Sequence, residues 1–168
     1  MSVDLPEALD VWRMVAQGRR FEGSLTLASM RRLAPSLCNT SGSLRFSLEF
    51  GRDELGIGFV AVHVEGALPL MCQRRLEPFD WPVLLDSRLG LIRKEEDEAG
   101  LPEGYEPLLV EETEIRPADV IEDEVILALP VVPLSPVEDG EEELVWSSET
   151  VRPEKPNPFA ALSALKKQ

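Results

Sequence analysis

The chain has 168 residues, 43% of them hydrophobic, and its 31 acidic and 17 basic side chains give a net charge of −14. The length and apolar content fit one folded domain of ordinary size with tails, which excludes a chain that is disordered throughout. The surplus of acids argues against nucleic-acid binding through bulk charge, because phosphate groups would be repelled.

A short helix is predicted near the N-terminus, with Pro6 in its first turn and Gly18 at its end. Its apolar residues recur at helical spacing: Leu5, Leu9, Trp12 and Ala16. A short strand over residues 21–27 follows, and then a second short helix over residues 27–33 that stops before Pro35.

Four strands joined by short turns are predicted in the middle of the chain. They span residues 43–50, 57–65, 68–72 and 79–92. In the first of them every second residue is apolar, which predicts one buried and one solvated face. Four consecutive strands with short connections favour an antiparallel meander.

The chain becomes acidic after Lys94, in a loop where Tyr105 is the expected anchor. A short strand over 108–110 precedes a helix within Arg116–Pro133, which begins at Pro117 and is stopped by prolines. Its predicted apolar face is formed by Ala118, Ile121, Val125, Ala128 and Leu129. The acids at 122–124 are expected to face outward.

These elements predict an α+β fold in which the helices pack on an antiparallel meander sheet or a partly closed barrel. Residues 1–133 are expected to form a single domain. Residues 134–168 are predicted to be a partly disordered acidic linker that ends in a short helical motif. In that motif Asn157 caps, Pro158 starts the helix, and one face carries three apolar residues: Phe159, Leu162 and Leu165.

No catalytic, metal or cofactor site is predicted. His63 is the one histidine, and no nucleophile motif accompanies it. The stretch that begins at Cys72 has arginine, Arg75, where a zinc half-site would have its second cysteine. The candidate zinc ligands are at most three, namely Cys38, His63 and Cys72, and a structural zinc site needs four.

Three features bear on location. No apolar run reaches the ~18 residues of a membrane span, and the first ten residues lack the basic start of a secretory signal. Two distant cysteines do not form a disulfide framework, which fits a reducing cytosol. A cytoplasmic protein without a membrane partner is therefore expected.

Charge is unevenly distributed along the chain. Residues 1–94 hold 12 Lys/Arg against 11 Asp/Glu, whereas residues 95–168 hold 5 against 20. The second half therefore has a net charge of −15, and a basic protein is its natural complement. The arginine pairs at 19–20, 31–32 and 74–75 are candidates for phosphate contact, with solvated surface or salt bridges as the alternative.

Four stretches occurring in order resemble the YceD family, the large ribosomal RNA subunit accumulation proteins of bacteria and plastids. They are Cys72-Gln73-Arg74, Leu101-Pro102-Glu103-Gly104-Tyr105-Glu106-Pro107, residues 122–133, and Lys155-Pro156-Asn157-Pro158-Phe159-Ala160. The resemblance implies a cytoplasmic, non-enzymatic factor of ribosome biogenesis, encoded in the family beside a large-subunit ribosomal protein. Many relatives have Cys-x-x-Cys where this chain has Cys72 and Arg75, so the departure counts against a metal or redox role.

Two functional hypotheses follow. In the first, the protein binds a ribosomal protein or a large-subunit assembly intermediate, and contacts it through Glu122, Asp123, Glu124, Phe159, Leu162 and Leu165. The apolar tail packing on its own domain is the alternative for the last three. In the second, the protein binds ribosomal RNA directly through Arg19, Arg20, Arg74 and Arg75, with Arg31 and Arg32, which requires the pairs to converge on one face. An RNA-processing enzyme is a third reading, but no carboxylate cluster has the spacing it needs.

Overall fold

The computed structural model describes residues 5–136, which form a five-stranded sheet, a two-stranded sheet and two α-helices. The elements in chain order are β1 (Leu9–Asp10), α1 (Val11–Gln17), β2 (Arg20–Thr26), β3 (Ser43–Arg52), β4 (Gly58–Met71), β5 (Pro78–Ile92), β6 (Glu106–Leu109), β7 (Glu114–Ile115) and α2 (Pro117–Ala128). Short 3-10 helices cover Leu27–Ser29, Ala34–Ser36 and Glu95–Gly100.

The five-stranded sheet has the order β2-β3-β4-β5-β6, and its first four strands are antiparallel neighbours. β6 runs parallel to β5, and β1 pairs with β7 as a separate ribbon. The α+β class and the antiparallel meander are confirmed. Of the two predicted forms of the sheet the open one is found, because β2 and β6 remain at its two edges.

A single long strand, β4, replaces the two strands predicted over 57–65 and 68–72. It pairs with β5 without a break from Phe59 to Met71. Gly66 lies in its middle at φ 154°, and a Cβ built there would approach Leu44 Cδ2 to 2.6 Å. The glycine is therefore needed for backbone conformation and close packing, and it marks no turn.

The first helix begins later than predicted. α1 starts at Val11 rather than Pro6, because the Asp10 carboxylate accepts the Arg13 N–H at 2.9 Å and caps the helix. Its predicted end at Gly18 is confirmed by a left-handed φ of 57°. The predicted helix over 27–33 is wrong: the chain there makes a 3-10 turn at Leu27–Ser29.

α2 confirms the helix predicted within Arg116–Pro133, and it packs on the sheet through β5 and β4. Ile121 and Val125 are fully buried as expected, and Val120 joins them. Ala118, Ala128 and Leu129 are only partly buried. Alternate residues of β3 and β4 contribute to the hydrophobic core: Leu44, Phe46, Leu48, Phe50, Val60, Val62 and Val64.

The connection between β5 and β6 crosses the sheet face that is opposite α2 before β6 re-enters in the parallel direction. Gly90 allows this close passage, since an added Cβ would lie 2.6 Å from Leu101 Cδ2. Tyr105 anchors the connection, as predicted, by donating its hydroxyl to Asp53 Oδ2 at 3.0 Å. Burial disfavours the Asp53 carboxylate, but hydrogen bonds from Ile57 N–H and the Tyr105 hydroxyl outweigh it and lower the Asp53 pKa.

Candidate protein-binding surface

Two of the three acids predicted to face outward from α2, at 122–124, are buried. Glu122 and Glu124 are 5% and 6% exposed, and only Asp123 has a half-exposed side chain. Glu122 accepts the backbone N–H groups of Arg32 and Leu33 at 2.7 and 3.0 Å. Its carboxylate thus satisfies two donors of a loop 90 residues away, which gives Glu122 a structural role.

Arg32 joins the same network from the loop side. Its guanidinium reaches the carboxylates of Glu122 and Asp123, and it donates to the carbonyl oxygen of Asp119 at 3.0 Å. These acids raise the Arg32 pKa against the opposing effect of burial. Arg32 therefore holds the 30–36 loop against α2, which makes it unsuitable as a contact for RNA phosphate.

Glu124 lies on the side of α2 that faces the sheet. Burial raises its pKa above the ordinary value of 4.5, and the charges of Glu106 and Asp123 act in the same direction, against a hydrogen bond from Ser87. The folded state therefore holds the Glu124 proton to higher pH than the unfolded chain does. The Glu124 contribution to stability is full below pH 4.5 and is lost as pH rises through the folded pKa.

We expect Glu124→Gln to stabilise the protein at pH 7, because the amide keeps a partner for Ser87 without a buried charge. The expected rise in Tm is roughly 2–5 °C for a domain of this size. Melting of the wild type and the variant from pH 4 to pH 8 checks this. The two curves should nearly coincide at the acidic end and separate as pH rises, and a constant difference at all pH values would contradict the assignment.

The arginine pairs predicted to contact RNA do not converge. Arg20 lies in register with Glu49 of β3, which faces Ala61 of β4. Arg74 and Arg75 belong to the turn after Met71, ten residues farther along β4, or about 33 Å of extended strand. The pair at 19–20 therefore lies near one end of β4, and the pair at 74–75 follows its other end.

On the solvated sheet face that carries Arg20, arginine side chains are paired with glutamates. Arg20 pairs with Glu22 and lies 4.0 Å from Glu49, while Arg45 pairs with Glu65 at 2.8 Å. His63 is on this face, where its Nδ1 contacts Asp86 at 2.7 Å and its side chain is 40% exposed. The guanidinium carbon of Arg19 lies 6.0 Å from the centre of the Phe21 ring. This face has no surplus of positive charge that would favour RNA.

The Cys72 turn meets the segment that follows α2. Gln73 N–H donates to the Pro133 carbonyl at 2.9 Å, and Ser135 N–H lies 3.4 Å from the Cys72 sulfur. The Ser135 and Arg75 amides lower the Cys72 pKa, because they stabilise a thiolate more than burial disfavours it. The turn thus joins two stretches that carried the family resemblance. Among residues 5–136 no group of three or more potential ligands could hold a metal ion.

Half of the exposed acids of the described chain lie on one segment, residues 95–114, which we term the acidic segment. It contains no Lys or Arg, and all nine of its acids are exposed: Glu95, Glu96, Asp97, Glu98, Glu103, Glu106, Glu111, Glu112 and Glu114. The uneven charge of the two halves indicated this region, but the prediction placed the contact on the helix. The burial of Glu122 was not predicted, because periodicity does not reveal the loop that packs against it.

Two parts of the acidic segment approach Trp12 at the start of α1. Val11 N–H donates to the Thr113 carbonyl at 3.1 Å, which brings the 111–113 stretch against the helix. Trp12 is half-buried, and the Arg93 guanidinium carbon lies 4.6 Å from its ring centre. Two open clefts share Trp12 and Arg93 as lining residues: one also contains Glu111 and Glu112, and the other Glu96 and Asp97.

These acidic clefts combine four carboxylates with an aromatic ring and two arginines, since Arg93 lines both clefts and Arg52 lines one. Lys and Arg side chains are suited to such a site, since their stems pack on apolar surface while their charges meet carboxylates. The predicted contacts Phe159, Leu162 and Leu165 lie outside the described residues. Within residues 5–136, the acidic clefts are therefore the candidate functional surface.

Comparison with known proteins gives a consistent result. A family model described as "Large ribosomal RNA subunit accumulation protein YceD" matches residues 60–166. A protein of Haemophilus influenzae named "Large ribosomal RNA subunit accumulation protein YceD" is 31% identical over 171 residues, which cover 99% of this chain and 98% of that protein. No solved structure matches the chain. No helix within residues 5–136 is long and apolar enough to cross a membrane.

Proposed function

Because the chain belongs to the YceD family of large ribosomal RNA subunit accumulation proteins, we propose that it acts in ribosome biogenesis by binding a basic protein partner. The partner is a large-subunit ribosomal protein or an assembly intermediate that presents one. The protein works in the cytoplasm without catalysis of its own, and its binding allows large-subunit ribosomal RNA to accumulate.

One observation carries the proposal: the acidic clefts around Trp12. Glu96, Asp97, Glu111 and Glu112 line them together with Arg52 and Arg93, so that the carboxylates outnumber the guanidinium groups by four to two. Complementary charge accelerates encounter and disfavours wrong partners. Ribosomal proteins carry Lys- and Arg-rich segments that bind RNA phosphate, and an acidic surface competes for the same side chains.

Direct binding to ribosomal RNA has less support. It needs a converging cationic surface, whereas Arg20 and Arg45 are matched by acids and Arg32 is held by α2. The acidic segment would also repel phosphate. Protein binding is therefore the function that the described surface favours.

Neutralising the clefts tests the proposal. We expect the triple variant Glu96→Gln, Glu111→Gln and Glu112→Gln to lower affinity for a basic large-subunit ribosomal protein by about tenfold at low salt, since each lost charge pair weakens encounter and retention. Purified wild-type and variant proteins are titrated against individual large-subunit ribosomal proteins. Wild-type affinity should fall steeply as salt is raised.

A matched control separates the clefts from bulk charge. The variant Glu54→Gln, Glu77→Gln and Asp80→Asn removes the same charge from exposed positions outside the acidic segment. We expect it to bind nearly as the wild type does. An equal loss in both variants would show that overall charge alone is responsible, and the absence of any wild-type binding at low salt would reject the proposal.

A further inference from the structure

The two edges of the five-stranded sheet differ in how well they are protected against pairing with a strand of another chain. At one edge, β6 is four residues long, contains Pro107 and lies within the acidic segment. Short length, proline and charge are the usual features that prevent an edge strand from pairing. At the other edge, β2 has seven residues and no proline, and β3 is its only neighbour among the strands of the described chain.

The hydrogen bonding of β2 shows which groups its open edge presents. Phe50 N–H donates to the Arg19 carbonyl, and Leu27 N–H donates to the Gly42 carbonyl. In an antiparallel pair the bonded residues alternate, so the odd-numbered residues from 19 to 27 face β3. The backbone groups of Arg20, Glu22, Ser24 and Thr26 consequently point away from the sheet. Of these groups, the Thr26 carbonyl accepts the Ser29 hydroxyl at 2.7 Å.

The sequence of β2 is complementary to itself in an antiparallel pair centred on Gly23. In that register Glu22 of each copy faces Ser24 of the other, so no like charges are directly opposed. On the core side, the buried Phe21 of each copy faces the half-buried Leu25 of the other. Centring the pair on Glu22 would instead oppose two carboxylates, and centring it on Ser24 would shorten the overlap.

We propose that the open edge of β2 pairs with β2 of a second copy of this chain, which joins two five-stranded sheets into one. The two Glu22 side chains lie diagonally across this pair, and each has its own Arg20 as a partner at 2.5 Å. Dimerisation is independent of the acidic clefts, since Trp12 and the acidic segment do not contribute to β2.

Sedimentation and light scattering across protein concentrations test the pairing. Because one short strand buries less surface than a standard interface, the expected dimer is weak and is measured up to about 0.5 mM. Ser24→Pro removes an edge N–H twice per dimer without disturbing the ladder to β3, and edge positions tolerate proline. This variant should be monomeric, whereas Ser24→Ala, which keeps the N–H, should dimerise as the wild type does.

Two charged variants test the register even if the proline variant does not fold. Ser24→Glu places a carboxylate opposite Glu22 of the other copy at two places, and should raise the dimer Kd by about tenfold. Ser24→Lys places an opposite charge there and should lower the Kd. A wild type that is monomeric throughout, a folded Ser24→Pro variant that still dimerises, or a shift of both charged variants in the same direction would overturn the proposal.

Discussion

Glu122→Ala is expected to lower the free energy of unfolding by about 3 kcal/mol, because it leaves two backbone donors without their charged acceptor. Leu33 is fully buried, so its N–H has no access to water once the carboxylate is removed. Arg32 loses one of the acids that hold it to α2. The 30–36 loop should therefore detach from the helix before the rest of the domain unfolds.

Asp123→Ala is the matched control, since it removes an acid from the next position of the same helix. Its side chain is 53% exposed, and a half-exposed ion pair contributes at most about 1 kcal/mol. Chemical denaturation of both variants measures the difference. Similar losses in the two variants would contradict the structural role of Glu122. Replacement of all three acids with no loss in the free energy of unfolding, as expected for an outward-facing acidic face, would contradict it as well.

Gly66→Ala is expected to cost about 3 kcal/mol through two effects that add. The positive φ of 154° strains any residue with a Cβ, and the new methyl would lie 2.6 Å from a side-chain atom of the fully buried Leu44. Overpacking a close-packed core costs roughly 1–3 kcal/mol by itself. The change should weaken the junction between β3 and the far half of the β4–β5 hairpin.

Gly56→Ala separates the two effects. Gly56 also has a positive φ, 81°, but a Cβ there would have no atom within 4 Å. We therefore expect a loss of only about 1 kcal/mol from strain. Denaturant unfolding of the two variants compares them directly, and a loss at Gly66 no larger than that at Gly56 would show that Leu44 yields without cost.

Local patterns in the sequence predicted the elements whose determinants are themselves local. Alternation over 43–50 predicted β3, and Pro117 with the apolar spacing after it predicted α2. Gly18 predicted the end of α1. In each case a residue type acts through its immediate neighbours, so the pattern is sufficient.

The incorrect predictions concern residues whose partners are far away in the chain. Glu122 resembles a solvated acid in the helical pattern, and only its contacts with Arg32 and Leu33 explain its burial. Gly66 resembles a turn, and only its approach to Leu44 explains its position inside a strand. Such contacts leave no periodic signal in the sequence.

The candidate surface was predicted in its chemistry but not in its position. The charge count indicated an acidic second half and a basic partner. It did not indicate that Glu111 and Glu96 lie in clefts that share Trp12, because that depends on the pairing of Val11 with Thr113. The acidic clefts therefore replace the α2 acids as the expected contact.

Recovery of the tagged full-length protein from cells, with and without ribonuclease treatment, tests the central claim most directly. We predict that a basic large-subunit ribosomal protein co-purifies in both samples, and that the triple variant at Glu96, Glu111 and Glu112 recovers much less of it than the charge-matched control. Loss of every ribosomal partner after ribonuclease treatment would contradict the account, because the association would then be carried by RNA.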